Sequence, residues 1–472
     1  MAGNRIGRIL SAWMLGISGL VLLASRPSLA AELTVTDLTG SAVTGVGPYV
    51  ADVTEALRLF ARGDYEGTLK NLQAAKKTTP VLAPAEVMMA QLHFSAGQIS
   101  AGNSALEKAI QVAPGDPEPY VILIERAASE ARLTEAALLF PQAEKSIEAF
   151  SENPRRKANL QSRVYLVGSA IDEALQKFDS ARTKLEALLK VDDKNAAAHQ
   201  RLGRVIYSQG GGADNQKRAM EEFKLAAQLD AKALPAELMM AILAKDPAKT
   251  EQWIEFALKS HADDLRTQLG AADFRLKSGQ LDKAREHAAA ALKIDPQGFD
   301  TNLLAGLVAN YSGDYPQAIE HLSQAHLLQP ANPIAISQLT LALLESPNEA
   351  DHARALQFAE MNARAQPDKL EPQAALGWVY YRMKRPAEAE RTFKAVVSRA
   401  GSSANIGGDT AFMLAFLAAA QGNRDNAVAM LQPSLSTKQL FVYRPKAEQL
   451  LAQLTKNAPP SIAAPAGAGK AP

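Results

Sequence analysis

The 472-residue chain carries 51 Lys plus Arg against 50 Asp plus Glu, a formal net charge of +1. So even a balance offers no large basic field to nucleic acid or anionic lipid. No cysteine occurs, which excludes disulfides, thiolate chemistry and a lipid-bearing cysteine behind a signal.

At the start, Arg5 and Arg8 precede an apolar stretch from Ile9 to Ala24, and Ser28-Leu29-Ala30 leads into Ala31. This layout predicts a secretory signal over residues 1–30, cleaved after Ala30. The apolar run is shorter than the roughly 20 residues that span a bilayer, so no stable membrane insertion is expected after cleavage. Loss of Arg5, Arg8 and Arg26 with the signal leaves 48 cations against 50 anions. The expected location is the periplasm. Residues 31–48 read as a flexible leader.

From residue 49 onward the chain is ordered by an offset of 34 residues, which links Gly63 to Gly97, Ala75 to Ala109 and Pro80 to Pro114. The same offset links Gly279 to Gly313, Ala284 to Ala318, His287 to His321, Ala291 to Ala325, Pro296 to Pro330 and Ala355 to Ala389. Alanine-rich periodic stretches such as Ala284 to Leu292 favour helix, and no run alternates as a strand would. Small residues let paired helices approach, while Phe223, Leu322 and Phe393 fill the opposite side. Proline just beyond a helix stops it, and the turn glycine takes a left-handed conformation that other residues reach at a cost. The expected fold class is all-α.

A 34-residue unit with small residues at fixed points resembles the tetratricopeptide repeat. Gly63-Asp64-Tyr65 and Gly313-Asp314-Tyr315 reproduce its turn, and Leu202-Gly203 and Leu376-Gly377 its first-helix signature. The resemblance runs from about 49 to 455 and implies a right-handed α-solenoid of stacked helix-turn-helix repeats. Repeats over 49–195 are partly degenerate, with 117–154 and 155–195 visible only as hydrophobic periodicity; so is 234–264. Those over 196–434 match better. Gly210-Gly211-Gly212 and the neighbourhood of Pro347 are expected to lengthen intra-hairpin turns. Residues 435–456 read as a capping helix with Leu450, Leu451 and Leu454 on one side, and 457–472 as a disordered Ala/Pro/Gly tail.

No catalytic constellation emerges. The seven histidines lack metal-ligand spacing, and His287 and His321 share a repeat position that suits interface filling. Gly467-Ala468-Gly469-Lys470 lacks the strand, hydroxyl residue and helix of a phosphate-binding loop. Glu221-Glu222 and Asp263-Asp264 read as solvated surface. The expectation is a non-enzyme without metal or cofactor.

What remains is the inner wall of the solenoid. The resemblance implies that Arg204, Tyr207, Asp273, Lys277, Asn310, Tyr311, Trp378, Tyr381 and Arg382 face inward and bind a partner; for Trp378 a packing role stands equally open. The Lys/Asn clamp with which some members of the family hold a peptide carboxylate is not reproduced. The leading expectation is a periplasmic scaffold for protein–protein interactions in an envelope assembly or exopolysaccharide secretion complex, with other envelope proteins as partners. Polysaccharide is the second partner class, with Trp378, Tyr381 and Tyr311 as stacking platforms in a saccharide or cell-wall-strand binder. A non-catalytic accessory subunit of an enzyme is the third reading.

Overall fold

The computed structural model describes residues 33–40, 42–43, 47–400, 406–437 and 439–456. The expected signal and the expected tail lie outside the described residues. All 24 regular elements among the described residues are α-helices, and the chain divides between Lys245 and Asp246 into two compact units.

The first unit contains α1 (Val35–Thr39), α2 (Tyr49–Ala61), α3 (Tyr65–Thr78), α4 (Ala85–Ser95), α5 (Ile99–Val112), α6 (Glu118–Ser129), α7 (Leu133–Ala149), α8 (Pro154–Ala174), α9 (Phe178–Val191), α10 (Ala196–Ser208), α11 (Gly212–Leu229) and α12 (Ala236–Leu243). The second contains α13 (Pro247–Ser260), α14 (Leu265–Lys277), α15 (Leu281–Ile294), α16 (Phe299–Tyr311), α17 (Tyr315–Leu328), α18 (Pro333–Leu344), α19 (Glu349–Ala365), α20 (Leu370–Arg382), α21 (Pro386–Ala400), α22 (Gly408–Ala420), α23 (Arg424–Leu435) and α24 (Arg444–Thr455). From α2 to α11, and again from α14 to α23, consecutive helices pair as hairpins. Within each unit the second helix of one hairpin packs on the first helix of the next, except before α22, which packs on α20 rather than α21. Each unit is thus a stack of two-helix modules of the kind the 34-residue offset demands.

The hairpins close because one helix offers glycine where the other offers a large side chain. A Cβ on Gly203 would stand 2.6 Å from the Phe223 ring, and one on Gly377 would stand 3.0 Å from the Phe393 ring. The alanines of the offset, Ala75, Ala109, Ala284, Ala318 and Ala389, are all buried. Their small size sets the helix separation, and exclusion of their neighbours' apolar surface from water supplies the stabilisation.

Turns within hairpins repeat one backbone device. Gly97 has φ +72°, its N–H donates to Phe94 O at 3.0 Å, and Gln98 N–H donates to His93 O at 2.8 Å, so the carbonyls at the end of α4 are satisfied. In three of the turns the left-handed residue is not glycine: Ala131 (φ 59°), Gln176 (φ 60°) and Lys384 (φ 59°). Two of these, Ala131 and Gln176, belong to the hairpins α6–α7 and α8–α9, where the sequence pattern is faintest.

Three expectations need correction. The extra residues near Gly210 do not lengthen the turn, since α10 ends at Ser208 and α11 begins at Gly212, and those near Pro347 lengthen theirs by one residue only; the rest of the surplus extends α11 to 18 residues and α19 to 17, against 14 in α3, α15 or α17. Helix absorbs the insertion because each added residue gains a backbone hydrogen bond. The leader is not a free strand where it is described, since Leu38 and Ala42 are buried against the first hairpins. The side-chain amide of Asn153, the N-cap of α8, donates to Ala42 O at 3.0 Å and Val81 O at 3.2 Å, and Arg155 Nη1 donates to Val43 O at 3.3 Å. Finally, the capping helix starts at Arg444 rather than 435, and Phe441, Val442 and Tyr443 precede it as buried non-helical chain.

One turn into α8, Arg156 is 1% exposed and is paired on both sides. Its Nη1 donates to Asp116 Oδ2 at 2.5 Å and its Nη2 to Glu118 Oε2 at 2.7 Å, while Arg163 Nη2 donates to Glu125 Oε2 at 2.7 Å. Burial pushes the Glu118 carboxyl up, but the Arg156 and Arg163 guanidinium groups outweigh it and hold that carboxyl below the ordinary range.

Candidate functional site: the first-helix wall of the second unit

In the second unit the first helices of successive hairpins, α16, α18, α20 and α22, also touch one another in a row. Their shared face collects Tyr311, Glu345, Trp378, Tyr381, Arg382, Asp409, Phe412 and Phe416. A shared register explains part of this: Glu345 follows Tyr311 by 34 residues, and Phe416 follows Trp378 by 38, the displacement that carries Leu370–Arg382 onto Gly408–Ala420. Equivalent positions on equivalent helices point the same way.

Aromatic rings form the floor. Trp378 stacks on Tyr381 with centroids 5.3 Å apart and an interplanar angle of 17°. Phe412, Phe416 and Tyr443 meet Trp378 edge-on at 5.7, 5.4 and 5.9 Å, the tilted geometry that ring quadrupoles favour. Trp378 Nε1 donates to Tyr443 Oη at 3.1 Å, so the buried indole N–H is satisfied.

Charged groups stand at the rim and in the floor. Arg382 Nη1 donates to Glu345 Oε1 at 2.8 Å and its Nη2 to Leu344 O at 2.8 Å, a cation at the carbonyl end of α18. Lys446 Nζ reaches Glu345 Oε2 at 2.7 Å from α24. Burial raises the Glu345 carboxyl, but Arg382 and Lys446 outweigh that and leave it below the usual range. Among the described residues no cation pairs with Asp409. Burial pushes it up to about 6, against the pull of the Tyr443 and Val442 backbone N–H groups, and Tyr443 N–H donates to its Oδ1 at 2.9 Å. Burial, joined by the Asp409 charge, also raises the Tyr311 phenol.

The nine expected partner-binding residues therefore fall into separate places. Tyr311, Trp378, Tyr381 and Arg382 come together here. Trp378 is nevertheless 3% exposed and touches the chain's own Tyr443, so of the two roles left open for it the structure shows packing. Asn310 is wholly buried rather than on the open wall, because its amide bridges to Gln338 O at 3.1 Å and Gln338 Oε1 at 3.0 Å on the next first helix. Asp273 and Lys277 pair with each other one turn apart on α14, and burial raises the Asp273 carboxyl. In the first unit Arg204 pairs with Glu173, and Tyr207 is half-buried with its phenol raised by that burial. Glu345, Phe412, Phe416 and Asp409 were missed by residue-by-residue reading; Glu345 could have been found by extending the offset from Tyr311, whereas α22 stands 38 residues on from α20 and the 34-residue offset does not reach the others. Tyr443 and Lys446 carry no such signal.

The geometry defines a class: each unit is an all-α stack of helical hairpins on the tetratricopeptide pattern, and the second presents a wall of first helices. No family model matches the sequence, and no curated protein matches it. Among solved structures the chain is similar to yeast Tom70, at 14% identity and a TM-score of 0.32, over 86% of this chain and 96% of that one. It is similar to a tetratricopeptide repeat protein of Parabacteroides merdae, at 14% identity and a TM-score of 0.35, over 63% of this chain and 99% of that one. It is also similar to PilW, a type IV pilus biogenesis factor, at 20% identity and a TM-score of 0.34, over 45% of this chain and 94% of that one. At TM-scores below 0.5 these likenesses decide neither the function nor the course of the whole chain. No described helix is long and apolar enough to cross a membrane.

Proposed function

We propose that this chain is a non-catalytic protein-binding scaffold, exported to the periplasm, that joins components of an envelope assembly or exopolysaccharide secretion complex. The observation that carries the binding role is the first-helix wall of the second unit, where successive first helices gather aromatic side chains and charges on one face. Aromatic rings flanked by arginine are the groups that carry energy at protein interfaces. The argument for export is the arrangement of Arg5, the apolar stretch Ile9 to Ala24 and Ser28-Leu29-Ala30. Against a saccharide groove stands the burial of Trp378, which offers no ring face for a sugar to stack upon.

Two measurements test the reading. Affinity capture from envelope extracts with the tagged mature chain is expected to recover a defined protein partner, and capture no richer than a tag-only control rejects the scaffold. Residues 1–35 fused to a reporter active only outside the cytoplasm are expected to confer activity, and a silent fusion rejects export.

A further inference from the structure

The segment from Phe441 to Lys446 meets the first-helix wall as a bound peptide would. Phe441 lies so close over Gly408 at the start of α22 that a Cβ there would stand 2.3 Å from its ring. Tyr443 places its backbone N–H on Asp409, its ring 5.1 Å from Phe412, and its hydroxyl as acceptor of the Trp378 indole N–H. Three residues on, Lys446 spans to Glu345 at 2.7 Å. These contacts reach α22, α20 and the end of α18, three successive hairpins. A terminal helix that merely covers the last hairpin needs only α22 and α23, and α24 packs on both of those as well.

The contacts also have the chemistry of recognition. The wall presents two carboxylates, Glu345 and Asp409, and an indole donor; the segment answers with a lysine, a backbone N–H and a phenol oxygen. The ammonium of Lys446 stands 5.1 Å from the Tyr443 ring, so the pair forms one compact aromatic and cationic unit. The Lys446 side chain keeps 36% of its surface in water, and an ion pair with one partner so exposed is weakly held. The ion pair therefore adds little to the hold on the segment, which rests mainly on the buried Phe441, Val442 and Tyr443.

We propose that residues 441–446 are an internal occupant of a peptide site on this wall, and that the site's partner in trans is a protein segment presenting a tyrosine followed three residues later by a lysine. The inference rests on the protein-binding reading above and names the partner's chemistry. The tethered segment acts at an effective concentration on the order of millimolar, so an outside segment binds well only when it is stronger or when the tethered one is displaced.

The test uses a fluorescein-labelled peptide with the sequence of residues 439–447, QLFVYRPKA, titrated by anisotropy into the full mature chain. Binding to the unaltered chain is expected to be weak, and binding to the double variant Y443A/K446A about tenfold or more tighter, because the competing tether is gone. Adding Glu345→Gln to that variant is expected to cut the affinity several-fold, and a peptide with alanine in place of its tyrosine is expected not to bind. A double variant of unchanged helical circular dichroism that ignores the peptide overturns the proposal, and so does displacement of the peptide by a glucan oligomer. Should the double variant unfold, Lys446→Glu alone sets like charges against Glu345; it is expected to raise peptide affinity over the unaltered chain, and equal affinities overturn the proposal. Peptide binding without any captured envelope protein would reject the scaffold and leave this inference standing; the reverse result would reject only this inference.

Discussion

Half-buried Asp409 and buried Glu118 are two carboxyls with opposite consequences for pH. Asp409 is raised to about 6, so folding favours its protonated form. Its contribution to stability is complete below the ordinary aspartate value near 3.8 and is lost as pH rises through about 6. Asp409→Asn is expected to flatten the melting temperature between pH 4 and pH 7 and to gain at most about 3 kcal/mol at pH 8, read from thermal melts across that range. A variant whose pH profile matched the original would show that the carboxyl is not the cause. Glu118 is held low by Arg156 and Arg163, so its contribution is present above the usual glutamate range and disappears as pH falls through its lowered value. Arg156→Met would strand the carboxylate of Asp116 in the interior and leave Glu118 with Arg163 alone. A loss of about 3–5 kcal/mol in urea unfolding is expected, and a loss below about 1 kcal/mol would mean that water reaches those groups.

At the scale of the hairpin, both faint repeats carry a left-handed turn residue that is not glycine, as does the regular hairpin α20–α21. Gly63, Gly97, Gly279, Gly313 and Gly422 take positive φ without penalty, whereas Ala131, Gln176 and Lys384 hold a side chain there. Replacing each of these three by glycine is expected to stabilise by about 0.5–1 kcal/mol despite glycine's larger unfolded-state entropy, because relief of left-handed strain exceeds that cost. Differential scanning calorimetry of the three single variants decides it; lowered melting temperatures would reject the strain argument. The same residues explain what the sequence disclosed. Where Gly, Ala and Pro recur at 34, as from Gly279 to Pro330, hairpin and register are legible at sight. Where Ala131 and Gln176 replace the glycine, only hydrophobic spacing remains, and the hairpins α6–α7 and α8–α9 emerge from tertiary packing that no local signal announces.

Over whole units, the sequence disclosed the lattice and hid whatever skips a neighbour. Small residues such as Gly203 and Gly377 report contacts one helix away, which fixed spacing encodes. Tyr443 on Trp378, Lys446 on Glu345 and Asn153 on Ala42 join residues 65, 101 and 111 positions apart, and they obey no period. That is why Trp378 could not be assigned to groove or core from its position alone, and why a leader that looked free is held. Because each module leans chiefly on the next, damage is expected to stay local. Gly377→Val would drive a methyl into Phe393, and hydrogen exchange is expected to lose protection across α20–α23 while α14 and α15 keep theirs. Uniform loss through the second unit would show cooperativity beyond adjacent hairpins. The hold of Asn153 adds a constraint at the other end of the chain. A stack of modules ordinarily unzips from its exposed first member, one hairpin at a time. Here the opening module is buttoned through Ala42 and Val81 to the beginning of α8, so peeling it away also uncaps a helix three hairpins further in.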